Sequence, residues 1–386
     1  MSTERFDVVV VGARCAGAAT ALLMARHGLR VLVLDRARRG TDTLSTHALM
    51  RGGAAHLQRW GLLDRIAAAG TPPIRQTRFH YPGETTVVSI RAAAGVDTLY
   101  APRRTLLDTI LVDAAIAAGA DVRFGATVTE LCHDRDGRVT GVIARTRTGK
   151  RLHAESWLTV GADGVRSLVA RQAQAPTLWT GSGAGAVIYG YWPGLDATGY
   201  EWFYRPGATA GMIPTNGGEV CVFAGTSAER FGREFSQNLR KAYRLLLAEA
   251  TGCDTRLEEA DLPPRLHGFP GRHGFLRDGA GPGWALAGDA GGFLDPLSTH
   301  GMTGALRDAH LLGQAVGAIL RGFPEEESLD AYRAKREQVA IPLFSAVDRI
   351  AGYGWDERTV HALLRDLSSA MSSEIEAISH HPPLSQ

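Results

Sequence analysis

The sequence predicts an α/β fold: a Rossmann-like parallel-sheet domain with an inserted antiparallel β-sheet and a set of C-terminal helices. Three observations carry this. A strand–helix–strand unit opens at residue 6. Two later segments, SWLTVGADG at 156–164 and GWALAGDAG at 283–291, each read as an apolar strand closing on an acidic residue and glycine. Between them lie short alternating stretches with turn residues at their ends. The expected division gives residues 1–74, 101–177 and 276–322 to the parallel-sheet domain. Residues 75–100 and 178–275 form the inserted sheet, and 323–386 a C-terminal helical segment.

The elements follow in order. Residues 6–11 (FDVVVV) are short, apolar and β-branched, as a buried parallel strand is. Ala16 to His27 is rich in Ala, Leu and Met with no Pro, and Gly28 supplies a helix stop. Residues 30–35 (RVLVLD) give the second strand. TRFHY, TTVVSI, AVIYGYW, YEWFYR and EVCVFAG are the alternating stretches of the insertion, and most of the aromatic residues lie there. From 301, GMTGALRDAHLLGQAVGAIL reads as helix, with more helix to about 378 and a loose tail in HHPPLSQ. No internal repeat or low-complexity tract interrupts the chain.

Composition narrows the function classes. No apolar run reaches the roughly eighteen residues that a membrane span needs. The charged MSTERFD runs straight into a strand without an export signal, so a cytoplasmic location is expected. Four cysteines, at 15, 132, 221 and 253, are too scattered for a disulfide framework or a zinc site. A formal charge of +2 with dispersed basic residues argues against nucleic acid. No motif specifies an oligomeric state.

Residues 12–17 read Gly-Ala-Arg-Cys-Ala-Gly, a G-x-G-x-x-G turn with Arg14 at the middle glycine. Gly12 permits the strand-to-helix turn and Gly17 the close packing of helix on sheet. The helix start at Cys15 and Ala16 then offers free N–H groups and a positive dipole end to a pyrophosphate. Arg14 points away from that phosphate or covers it as a cation. Asp35 ends the second strand, twenty-three residues after Gly12, where a carboxylate can accept both hydroxyls of an adenosine ribose. Arg36 beside it joins the expected cofactor-binding set. An acid rather than a base at this place indicates FAD or NAD rather than NADP.

Two further motifs lie downstream: Gly161-Ala-Asp-Gly-Val-Arg-Ser167 and Gly288-Asp289. In this order and at these distances the three resemble the para-hydroxybenzoate hydroxylase family of group A flavoproteins, over about residues 6–320. The resemblance implies that Asp289 binds a ribityl hydroxyl of FAD and that Pro296 lies beside the isoalloxazine ring. The helix from Gly301 and Met302 would aim its N-terminus at the pyrimidine edge, where reduced flavin carries negative charge. It implies that Arg104, or Arg103 in its place, reaches FAD. It further implies that Asp163 contacts FAD and is associated with nicotinamide use. Two departures mark a divergent branch. The GD motif continues Ala290-Gly291-Gly292 where the family has Ala-Ala-His, and Ala170 holds the place of an arginine that follows as Arg171.

The activity so implied is a monooxygenase. NAD(P)H is the transient reductant, and oxygen passes through a flavin hydroperoxide to a small aromatic or polycyclic substrate. The substrate pocket is expected between the nucleotide domain and the aromatic-rich sheet. His47 and His300 are the candidate catalytic side chains, against the plainer reading that each caps or braces a loop. Cys15 reads as packing rather than as a redox group. Trp202, Phe203 and Tyr204 read as core before pocket. Three rivals share the scaffold. A halogenase needs Trp-x-Trp-x-Ile-Pro, but Thr209 and Gly211 stand before Ile213-Pro214. A reductase of the geranylgeranyl type needs an aromatic signature absent from the same segment. A non-enzymatic flavoprotein would bind FAD and turn over no nicotinamide.

Overall fold

Four consecutive valines, Val8–Val11, are buried at the centre of a six-stranded sheet. Leu158–Gly161 pairs with them on one side and Val31–Asp35 on the other, both in parallel register. Asp121–Phe124 and Trp284–Leu286 extend the sheet in parallel, and Ala280–Gly281 ends it antiparallel. A strand covered on both faces must be apolar throughout, hence the unbroken valines. The structure, a computed structural model, describes residues 3–235 and 237–379, so the expected tail at 380–386 lies outside the described residues.

The helix Cys15–Arg26 follows the first strand, and Cys15 through Ala25 are all buried. Its alanines let two neighbours close in, Arg104–Ala117 and Gly301–Leu320. Gly28 ends it with φ +79°, as the stop residue requires.

The inserted sheet has seven strands: Leu266–Phe269, Gly185–Pro193, Glu219–Ser227, Ala208–Pro214, Tyr200–Arg205, Gln76–Tyr81 and Glu84–Ser89. All are antiparallel except Gln76–Tyr81 against Tyr200–Arg205, where two separate visits of the chain meet in parallel. Alternation divides the side chains between two cores. Ile188, Trp192, Phe203 and Met212 face a helix, Leu239–Thr251, that the sequence reading had not marked. Tyr189, Tyr200, Trp202, Tyr204 and Phe223 face the helices Glu325–Ala351 and Glu357–Ser379. Trp202, Phe203 and Tyr204 are therefore core, shared between the two faces.

A four-stranded sheet also escaped the sequence reading: Thr3–Arg5, Arg151–Glu155, Val139–Thr146 and Ala126–His133. Among the described residues no helix is long and apolar enough to cross a membrane.

Candidate cofactor and active site

The phosphate turn is shaped by what is absent from it. Gly12 has φ +104°, and a Cβ there would meet the Ala162 carbonyl at 2.4 Å. A Cβ on Gly17 would lie 1.8 Å from the Gly12 carbonyl oxygen. Neither position admits a side chain. Asp35 ties the turn to its strand: its two carboxylate oxygens accept the Ala13 and Ala37 N–H groups, each at 2.7 Å. A shallow cleft opens here between Asp35, Arg14, Arg38 and Thr109. Arg36 is exposed and does not line it. Cys15 is buried, and burial pushes its thiol up to about 12, so it stays protonated and packs.

Arg104 opens its helix beside this turn and forks onto Asp108 one turn later, at 3.0–3.2 Å. Asp108 also accepts the Cys15 N–H, and Arg14 Nη1 approaches it at 3.7 Å. That Arg14 nitrogen is buried and, among the described residues, has no hydrogen-bond partner. Arg103 turns the other way. It pairs with Glu219 at 2.8 Å and lies over the Tyr191 ring at 3.5 Å. The geometry thus puts Arg104, not Arg103, next to the phosphate turn.

The second turn arrives from the far end of the chain. Gly288–Ala290 follows the strand Trp284–Leu286 as a short 3-10 turn, and the Gly288 N–H donates to Asp308 at 3.1 Å. Burial pushes Asp289 up to about 6, with Arg104 opposing. Among the described residues no donor reaches the Asp289 carboxylate. The next two glycines now have a physical reason. A Cβ on Gly291 would fall 2.7 Å from the Arg336 guanidinium, and one on Gly292 would fall 3.0 Å from it. Arg336 fills the space beside Gly291, while Leu276 Cδ2, at 2.7 Å, is the nearer neighbour at Gly292.

Asp295 then accepts the Gly185 N–H at 2.6 Å and the Leu297 N–H at 3.0 Å, tying the Pro296 turn to the inserted sheet. Thr299 takes φ +50°, and His300 opens the helix from Gly301. Gly301 is exposed and Met302 buried. No side chain caps this helix and no acid lies in its first turn. Its N–H groups and dipole end are thus available to an anion.

The two candidate histidines are both buried and part company. His47 sits at φ +65° with Nε2 bonded to the Tyr191 hydroxyl and Nδ1 buried without a partner. Burial, then Arg103 and Arg104, hold it well below the usual histidine range, so the ring is neutral. His300 Nε2 lies 2.7 Å from Glu374 Oε2, at the heart of a packed helix interface. Asp163 accepts the Ser167 hydroxyl at 2.5 Å and the Leu168 N–H at 2.6 Å, capping the helix Leu168–Gln172. Sequence reading passed over Asp108, Tyr191, Arg307, Asp308, Arg336 and Glu374. The i,i+4 spacing of Arg104 and Asp108 was a usable signal, as was the Arg307-Asp308 pair in an apolar helix. Nothing local marks Glu374.

These residues fit FAD. The side-chain-free cradle and the unpartnered Arg14 nitrogen suit a pyrophosphate. The free Asp289 carboxylate suits a polyol, and the uncapped Gly301 helix suits an electron-rich ring edge. Known proteins agree. The sequence pattern of the FAD binding domain family matches residues 5–346. Menaquinone reductase of Mycolicibacterium smegmatis is 30% identical over 337 residues, 80% of this chain and 76% of that protein. Rifampicin monooxygenase of Rhodococcus hoagii is 25% identical over 396 residues, 97% of this chain and 78% of that one. The crystal structure of PqsL, a probable FAD-dependent monooxygenase from Pseudomonas aeruginosa, superposes with TM-score 0.79 at 19% identity. It covers 96% of this chain and 100% of that one, a likeness of fold. The chain belongs to the FAD binding domain family, among the FAD-dependent oxidoreductases of the para-hydroxybenzoate hydroxylase group.

Proposed function

We propose that the protein is a monooxygenase that draws reducing equivalents from NAD(P)H and oxygenates a small aromatic or polycyclic molecule. One observation carries this. Leu294 and Leu297, flanking the Pro296 turn, pack into the same buried cluster as Ala48, Tyr189 and Tyr191. The turn that would face the flavin therefore abuts the tyrosine-rich sheet face across one apolar cluster. Apolar surroundings of this kind keep water from a reactive oxygen species and suit a flat apolar substrate. FAD bound beside it would accept hydride and activate dioxygen.

The chain's own groups have defined tasks in this reading. Asp289, Arg104 and Arg14 hold the cofactor, with Asp35 at the adenosine end. Asp163 braces the segment against which Gly12 packs, rather than reaching out to nicotinamide itself. His47, kept neutral and with Nε2 committed to Tyr191, can give or take a proton at Nδ1. The residues 75–100 and 178–275 supply the substrate wall. The four free thiols suit a cytoplasmic setting.

Similarity to a menaquinone reductase favours a second reading, reduction of a carbon–carbon double bond in an apolar substrate. One experiment separates the two. The FAD-loaded protein is reduced anaerobically with NADH or NADPH, then given isotopically labelled dioxygen and a panel of phenols and polycyclic aromatics. The monooxygenase reading expects label in a product. Oxygen-independent consumption of a quinone or prenyl double bond, with no label in any product, replaces it with the reductase.

A further inference from the structure

A chain of alternating basic and acidic side chains runs through the helices behind the second turn. Arg336 Nε approaches Asp308 at 3.4 Å, and Arg307 bonds Asp308 at 2.8 Å and 3.1 Å. Arg307 Nη1 reaches Glu374 Oε1 at 3.3 Å, and Glu374 Oε2 meets His300 at 2.7 Å. All five residues are buried, none more than 7% exposed. The chain touches the proposed flavin site twice: Asp308 accepts the Gly288 N–H, and His300 opens the helix at Gly301. Glu374 alone stands at the junction of both branches, one oxygen on each.

The helix Arg51–Arg59 is shaped around this junction. Gly52 and Gly53 lie inside it, where each glycine costs about 1 kcal/mol relative to alanine. A Cβ on Gly52 would come within 3.3 Å of Glu374 Oε2 and 3.1 Å of Thr303 Cγ2. The side-chain-free face lets the Glu357–Ser379 helix bring its carboxylate down to the start of the Gly301 helix. His56, from the same short helix, adds a third basic neighbour. Burial alone would raise the Glu374 carboxyl. His300 and Arg307 outweigh it and hold it down at about 2. Glu374 lies beyond residue 346, where the family match ends.

We infer that Glu374 is a positioning residue for FAD, locking the Gly288-Asp289 turn and the His300–Gly301 helix start into one geometry. The C-terminal helix is then a functional part of the cofactor site and not only a cover for the inserted sheet. The inference rests on the FAD reading of that site.

The test measures FAD affinity, the visible spectrum of bound FAD and its midpoint potential for the full chain and three variants. Glu374→Gln keeps the side-chain shape but removes the charge. His300→Gln breaks one contact from the other side and is read in its place should Glu374→Gln not fold. Asp366→Asn removes an exposed carboxylate from the same helix. Glu374→Gln is expected to weaken FAD binding about ten-fold, with a shifted potential and an altered spectrum. Asp366→Asn should match the unmodified chain in all three. A Glu374→Gln protein that melts earlier, yet keeps affinity, spectrum and potential unchanged, overturns the inference and leaves Glu374 a structural brace. An unmodified chain that takes up no FAD overturns the cofactor reading first, a different result.

Discussion

The two turns that build the candidate site are held in opposite ways. The turn at 12–17 is made of backbone: two glycines, a strand before and a helix after, with Asp35 accepting two N–H groups. The turn at 288–301 is made of side chains from elsewhere. Asp308 holds its first N–H, Arg336 fills the space above it, and Glu374 reaches its far end from a helix seventy-four residues beyond His300. A turn defined by missing side chains is rigid by sterics. A turn defined by buried charges depends on every partner being present, since each unpaired charge carries its full desolvation cost.

The comparison is broken most severely at the first turn. Gly17→Val would force a Cβ to 1.8 Å from the Gly12 oxygen. A loss of about 4 kcal/mol or more is expected, with no FAD retained on purification. A urea midpoint near that of the unmodified chain would show that this turn yields after all.

At the second turn the expected loss is smaller but spreads further. Arg336→Met removes a buried partner of Asp308 and should cost about 3 kcal/mol in urea unfolding. It should also make Gly291→Ala better tolerated, because the guanidinium that a Cβ would strike is gone. If Gly291→Ala is equally harmful in both backgrounds, Arg336 is not what demands the glycine.

Asp289→Ala tests the site rather than the scaffold. Its carboxylate holds no other described group, so stability should change little, while FAD affinity should fall about a hundred-fold, some 2.7 kcal/mol. Urea unfolding measures the first arm and titration of flavin fluorescence the second. Unchanged affinity removes Asp289 from the cofactor site.

The smallest effect is a pH signature at the second turn. The folded-state acidity of Glu374 is held down at about 2, below its ordinary value of 4.5. A depressed carboxyl contributes stability above its unfolded value and loses it as pH falls toward the folded one. The stability gap between the unmodified chain and Glu374→Gln should therefore narrow as pH falls below about 5. A gap that stays constant down to about pH 3 would mean the charge of Glu374 contributes nothing.

Legibility in the sequence followed the same division. The G-x-G-x-x-G turn, Asp35 and the GD turn were readable because each is a short string with a local geometric purpose. The five alternating stretches became strands because a two-residue period survives any tertiary context. Trp202, Phe203 and Tyr204 were rightly read as core on that period, but which of two cores each joins needed the sheet's neighbours. The four-stranded sheet of 3–5 and 126–155 was missed since its strands are half-exposed and mix charge with apolar residues. His47 and His300 looked alike as histidines in loops. Only their surroundings separate a neutral ring with a free Nδ1 from a ring bound to Glu374.

Sequence by itself determined the fold class and the nucleotide turn, and it proposed which residues meet a phosphate, a ribose or a polyol. These follow from spacing along one strand and one helix, where covalent connectivity sets the distances. Tertiary structure decided that Arg104 and not Arg103 lies beside the turn, that Arg336 crowds Gly291, and that Glu374 meets His300 and Arg307. Those outcomes depend on which buried charges find each other across hundreds of residues, and burial energetics, not chain proximity, selects the pairs.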